Sequence, residues 1–291
     1  MTNTTHNKTM KILSGLDSAG QPLPEEMLFL GRIGPLEVRM ATTLEELYES
    51  QRLRFEIFYG EMSAVVTDEV VQTGLDADAY DEICDHLLVL DHSREVDGKP
   101  AVVGTYRLLR QEIANKYLGF YTASEFNVGP LIAANPDLNF LELGRSCVMK
   151  EYRDKRTVEL LWQGIWNYVR RNKLDVMFGC ASLEGVNPQD NALPLSFLHH
   201  FASSPEEWKV RALDERFVDM NMMAKEEINP KHALHELPPM VKGYLRLGAS
   251  FGEGAVVDYD FGTTDVLVML PVSAINPRYL TYFNETGEVI V

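Results

Sequence analysis

The chain has 291 residues and 33.0 kDa, with 27 basic against 43 acidic side chains and a net charge of −16. Apolar residues make up 45% and charged residues 24%, globular values that exclude wholesale disorder and fibrous repeats. So negative a chain is a poor coat for nucleic acid, whose phosphates need clustered Lys and Arg. Cys84, Cys147 and Cys180 contain no CxxC pair and are too few for a disulfide framework, which points to a reducing compartment. Residues 1–22 are polar and lack the apolar centre of a signal peptide, and no run approaches 18 apolar residues. The expectation is a cytoplasmic protein.

Residues 1–34, rich in Thr, Asn, Gly and Pro, read as an irregular leader, with a single domain over 35–291. Thr43-Leu44-Glu45-Glu46 fits a capping box and predicts a helix to about Tyr59, along Leu44, Leu47, Tyr48, Phe55 and Phe58. Arg54 falls on the side of Leu47 and Phe58, where a guanidinium must snorkel to water or meet a carboxylate. His86–Leu90 reads as a buried strand and Ala101–Leu109 as its hairpin partner. Phe140–Met149 is a further strand, with Glu142 and Arg145 on opposite sides if the pleat is regular.

A basic turn, Lys150–Arg156, then leads into a helix carrying Val158, Leu161, Trp162, Ile165 and Val169 on one face. Gly164 within it weakens the helix by about 1 kcal/mol relative to Ala and suggests close approach of another backbone or a ligand. Asp175–Ala181 reads as strand, Pro194–Phe201 as helix, and Tyr244–Phe251 and Thr264–Leu270 as strands. This alternation predicts an α/β sheet.

Charge is unevenly distributed. Residues 56–97 hold 12 acidic side chains against Arg94 alone, whereas 150–173 holds seven basic against three acidic. The acidic stretch suits a cationic small molecule or is a solvated loop. The basic one, at a helix start, suits an anion. Other chemistries find little support. His199-His200 and His232-x-x-His235 fit no zinc motif, so no metal is expected. Cys147 has no local histidine base and reads as a buried apolar residue. There is no GxSxG elbow, and 243–254 is glycine-rich without GKS/T or GxGxxG.

Strand, Tyr-Arg turn, amphipathic helix and strand together resemble the acyl-donor motif of the Gcn5-related N-acyltransferase (GNAT) superfamily. The turn Tyr152-Arg-Asp-Lys-Arg-Thr157 lacks the usual pyrophosphate-loop glycines. That departure favours a donor without the nucleotide, acyl carrier protein (ACP) with its phosphopantetheine arm, over coenzyme A. Arg54-Phe-Glu-Ile-Phe58, Asp78-x-Tyr-Asp81, Asp85–Val89, Val103-Gly-Thr-Tyr-Arg107 and Glu142-Leu-Gly-Arg145 resemble acyl-homoserine-lactone synthases in order and type. Leu143–Val148, Phe178–Leu183, Pro239–Gly248 and Phe261–Val266 are closer still to the ornithine–acyl-ACP N-acyltransferases that begin ornithine-lipid synthesis. The likeness covers about residues 37–283.

The resemblance implies a GNAT-like, mostly antiparallel sheet flanked by helices, with a C-terminal extension. It implies transfer of a 3-hydroxyacyl chain from acyl-ACP to the α-amine of an amino acid, ornithine first, with glutamine or glycine suiting the same fold. Glu142 and Arg145 become the candidate catalytic residues, Glu142 as a base or as an ion-pair partner of Arg145 or Arg107. Val148, Lys150, Arg153, Lys155 and Arg156 become candidates for the donor arm and the acidic carrier. Asp78, Asp81, Asp85 and Arg107 become candidates for the acceptor. No bound cofactor is expected beyond the carrier's arm. An amphiphilic product allows weak peripheral contact with the inner membrane through the 150–173 patch. Two alternatives stay open: an acyl-homoserine-lactone synthase, which the 239–266 block argues against, and a non-catalytic lipid- or ACP-binding protein.

Overall fold

The computed structural model describes residues 24, 28–62, 64–65 and 68–286. Most of the expected leader lies outside the described residues, but its end does not. Strand β1 (Phe29–Ile33) pairs with β2 (Leu36–Met40) across a tight turn at Gly34, whose φ of 60° favours glycine. The boundary at 34 is therefore corrected: buried Leu28 and Leu30 already belong to the core.

Helix α1 (Leu44–Phe55) starts at the predicted cap, where Thr43 Oγ1 accepts from the Glu46 N–H at 3.2 Å. Glu46 does not close the box; its carboxylate accepts from the Thr42 N–H at 2.7 Å and pairs with Arg39. A π-helical turn, Glu56–Glu61, carries the helix past Tyr59. After α2 (Asp68–Thr73) and a 3₁₀ turn (Ala79–Glu82) comes the expected hairpin of β3 (Asp85–Val96) and β4 (Lys99–Arg110). Then follow α3 (Gln111–Lys116), a 3₁₀ turn (Tyr121–Ser124), α4 (Gly129–Ala134) and β5 (Phe140–Val148).

Helix α5 (Lys155–Arg171), β6 (Val176–Glu184) and α6 (Ala192–Phe201) match the remaining mid-chain expectations. The chain continues through α7 (Pro230–Glu236), α8 (Pro239–Leu247), β7 (Ser250–Asp258), β8 (Thr263–Pro271) and α9 (Pro277–Thr286). The strand expected over Tyr244–Phe251 is corrected, because Tyr244–Leu247 end a helix. Pro239 opens it, Val241, Tyr244 and Leu247 are its buried side, and Gly248 at φ 105° caps it in the left-handed region.

The strands form one sheet in the order β1-β2-β3-β4-β5-β6-β8-β7, antiparallel throughout except for β5 beside β6. Alternating side chains feed two cores. Leu141, Leu143, Val266 and Val268 pack under α5, α6 and α8. Phe140, Phe178, Leu267 and Met269 pack on the other face against Phe120 and Phe126. Among the described residues no helix is long and apolar enough to cross a membrane.

Gly164 marks where α5 meets β2. A Cβ there would lie 2.6 Å from Val38 Cγ2 and 3.1 Å from Leu87 Cδ1. The close neighbour is thus a stiff, buried valine rather than a backbone or ligand. Gly164→Ala should lower the melting temperature, because overlap of about 1–3 kcal/mol exceeds the roughly 1 kcal/mol gain in helix propensity. Adding Val38→Ala should recover part of that loss; no recovery in calorimetry would contradict this packing.

Candidate active site

Strands β5 and β6 run together only from Phe140↔Val176 to Glu142↔Phe178. Beyond that, β5 follows β4 as far as Gly104↔Val148, while β6 follows β8 to Glu184↔Thr263. The sheet therefore forks. At the crotch, a Cβ on Gly179 would lie 2.2 Å from the Leu143 carbonyl oxygen, so only glycine lets the strands approach this closely. Opposite β4 the register slips between Thr105 and Arg107, and Arg145 takes a left-handed φ of 48°. This bulge breaks the regular pleat and turns Glu142 and Arg145 toward one cavity.

The cavity, of about 490 Å³, is lined from both faces of the sheet. Leu161, Trp162 and Ile165 of α5 and Met240, Val241 and Tyr244 of α8 line its apolar limb. Arg107, Glu142, Arg145, Cys180, Asp258 and Asp265 line a polar limb on the opposite face. The two limbs meet at the fork.

Glu142 is buried, and its carboxylate oxygens accept from the backbone N–H groups of Tyr121 and Thr122 at 2.9 and 2.5 Å. Burial outweighs those donors and the field of Arg107, holding the carboxyl above its ordinary range. It makes no ion pair with Arg145 or Arg107. Those arginines belong to a separate lattice. Buried Arg54 grips Asp81 with both terminal nitrogens, at 2.8 and 2.7 Å, and Asp76 through Nε at 2.7 Å. Arg107 reaches Asp78 at 2.6 Å and Asp81 at 3.3 Å, while Arg145 reaches Asp78 at 3.2 Å and Asp76 at 3.3 Å. Arg145 also lies over the rings of Tyr121 and Phe261. The partnered carboxylate of Asp81 is held far below the usual range, first by Arg54 against the opposing effect of burial.

The structure thus redistributes the residues singled out by sequence. Glu142, Arg145, Arg107, Val148 and Arg153 line the cavity. Asp78 and Asp81 stand behind the arginines as their counter-ions. Asp85 belongs elsewhere: buried, it accepts from Tyr168 Oη and pairs with Arg110 at 3.4 Å, fastening α5 to the hairpin. In the basic turn, Arg153 donates to the Val148 carbonyl and pairs with Glu61 at 2.7 Å; Arg156 donates to the Ile33 carbonyl, and Lys155 pairs with Glu159. Lys150 is exposed near the fork's open end. Asp154 caps α5 by accepting from the Thr157 N–H at 2.9 Å.

His199 and His200 pack edge to face, and His232 pairs with Glu236. Burial raises the Cys147 thiol far above its ordinary range, in keeping with an inert core residue. Asp258 and Asp265 went unremarked in the sequence. Their signal was there: each is a buried acid flanking a run of apolar strand residues, Ala255–Val257 in β7 and Val266–Leu270 in β8.

A GNAT acetyltransferase domain family matches residues 53–163, which run from the last turn of α1 to the first half of α5 and include the fork's β5 edge. Forked sheet, bulge and cavity define an acyltransferase of the GNAT class. An L-ornithine N(alpha)-acyltransferase of Brucella abortus is 54% identical over 267 residues, covering 91% of this chain and 95% of that protein. One from Agrobacterium fabrum is 52% identical over 260 residues, covering 89% of each. This chain belongs to the L-ornithine N(alpha)-acyltransferase family. Among solved structures, an N-acyl amino acid synthase from uncultured soil microbes superposes with a TM-score of 0.45 at 13% identity, over 84% of this chain and 93% of that one.

The ion lattice sets a clear stability test. Arg54→Met should cost about 3–5 kcal/mol, since it leaves Asp76 and Asp81 buried without their cation. Adding Asp81→Asn should return part of the loss. Denaturant titration showing a cost under about 1 kcal/mol for the single change would mean the lattice is dispensable.

Proposed function

We propose that the protein transfers a 3-hydroxyacyl chain from ACP to the α-amine of L-ornithine. The carrying observation is the cavity that crosses the sheet at the β5–β6 fork, apolar on one face and charged on the other. An acyl chain fits between α5 and α8, an amino acid fits among Arg107, Glu142 and Arg145, and the thioester lies between them. The relatives' activity as L-ornithine N(alpha)-acyltransferases supports ornithine as acceptor.

A phosphopantetheine arm carries amides along an extended chain, so diverging strand edges suit it as they suit an added strand. Two features favour a protein carrier over a nucleotide. The turn before α5 has no glycine, and the helix start is capped by the Asp154 carboxylate, a negative group where a pyrophosphate would need N–H donors. Lys150, Arg153 and Lys155 are exposed beside the fork and offer an acidic carrier local attraction on an otherwise acidic protein.

In the reaction the neutral α-amine attacks the thioester carbonyl, forming the C–N bond. The C–S bond breaks, the amine proton passes to Glu142 directly or through water, and from there it reaches the departing thiolate, so that the carrier leaves as its thiol. The raised carboxyl of Glu142 makes it a better base than an exposed glutamate. Arg145 faces the developing charge from the bulge.

A base works ionised, so kcat/KM should fall as pH drops through the raised pKa of Glu142. Glu142→Gln should lower kcat by about 10²–10⁴-fold and remove that step from the acidic limb; a limb identical to wild type would exclude the base role. Lys150→Glu with Arg153→Glu should raise KM for acyl-ACP at low salt, and the difference from wild type should shrink as salt rises. An unchanged KM would place the carrier elsewhere.

A further inference from the structure

The polar limb ends in a second group of charges that the mechanism above does not use. Glu125, Asp258 and Asp265 each bring a carboxylate oxygen within 4.8 Å of the others, and all three are buried. Glu125 follows the 3₁₀ turn whose N–H groups hold Glu142, Asp258 ends β7, and Asp265 lies on β8. Asp258 and Asp265 line the cavity, as do Arg107 and Arg145.

Their neutralisation is incomplete. Arg216 stands 3.5 Å from Glu125, with no other ion pair to the three among the described residues. Hydrogen bonds hold part of each group: Cys180 Sγ donates to Glu125, Thr263 Oγ1 to Asp265 at 2.8 Å, and the Asp260 and Phe261 N–H groups to Asp258 Oδ1. Asp258 Oδ2 receives no hydrogen bond among the described residues, although Asp258 is only 8% exposed. The fold therefore holds an acid in the cavity wall with one oxygen uncommitted. Burial and the neighbouring Asp265 push Glu125 up to about 7, the strain expected of like charges without a cation.

We infer that Asp258 and Asp265, backed by Glu125, bind the side-chain ammonium of the acceptor and so select a cationic amino acid. The inference rests on the ornithine reading above and assigns its specificity to residues on β7 and β8. The polar limb is then bipolar: the arginine wall faces the α-carboxylate, the carboxylate wall faces the distal ammonium, and the α-amine is left beside Glu142. An ammonium suits the site better than a divalent ion. Hard cations prefer six or more oxygen ligands in a tight shell, whereas here Cys180 and Arg216 occupy part of the Glu125 carboxylate.

The test compares ornithine with norvaline, the same chain without the terminal amine, as acceptors for wild type, Asp258→Asn and Asp265→Asn. Each substitution should lower the ornithine-over-norvaline ratio of kcat/KM by roughly 30-fold or more, the loss expected when one partner of a buried charge pair is removed. Norvaline, which brings no ammonium to these carboxylates, should lose less kcat/KM than ornithine does in each variant. The melting temperature without substrate should hold or rise, because each change relieves repulsion, whereas a purely structural role would lower it. Wild type that acylates ornithine beside variants that keep its preference would overturn this inference alone. Wild type that acylates no amino acid would overturn the proposed function itself. Stoichiometric Mn²⁺ binding lost in Asp258→Asn, with chelator-sensitive turnover, would make the cluster a metal site and overturn the inference too.

Discussion

Arg54, Arg107 and Arg145 interlocked with Asp76, Asp78 and Asp81 are the constraint on which the site depends. Three cations and three anions interlock here with only Asp78 keeping much contact with water, and such burial is tolerated only when each charge has partners in good geometry. The lattice ties α1, the 76–82 loop, β4 and β5 into one block. Two of its arginines also face the cavity, so the groups that meet substrate are aimed by groups that never touch it. The left-handed backbone at Arg145 fits the same logic: its guanidinium is fixed by two aspartates and two rings, enough to sustain a conformation that a free arginine would leave.

Around that block the forked sheet separates two incompatible environments. A fatty chain needs a dry apolar channel, and a zwitterionic amino acid needs fixed charges. One pocket holding both would desolvate charge against hydrocarbon. Placing the apolar limb under α5 and α8, and the charged limb on the other face, limits their contact to the opening where bond exchange occurs. Glu142 stands at that opening, with both oxygens held by backbone donors of the 121–122 turn.

Much of the architecture was legible from sequence. The β3–β4 hairpin, β5, the amphipathic α5 and β6 follow from period-2 and period-3.6 patterns, and the Thr43 cap from its residue type. Arg54 beside Leu47 already required a carboxylate. The α8 helix was misread as strand although Pro239 and Gly248 bracket it, because its buried aromatic and aliphatic residues carry as much strand propensity as helix. The local charge map located both segments but could not show which of their side chains were already paired. The acids of 76–81 are counter-ions to arginines distant in sequence, and Arg156 donates to the Ile33 carbonyl, a partner that spacing cannot show. The bulge at Arg145 and the approach of β7 to β8, which brings Asp258 beside Asp265, arise only when strands pair. Residues whose role depends on such pairing carry no local signature.

The central claim is that the fork brings one particular nitrogen of a diamino acid to the thioester. Tandem mass spectrometry of the product formed from 3-hydroxyacyl-ACP and ornithine locates the new amide. The account predicts acylation of the α-nitrogen, with the distal ammonium protected among the carboxylates of β7 and β8. An amide on the side-chain nitrogen, or no amide at all, would contradict it.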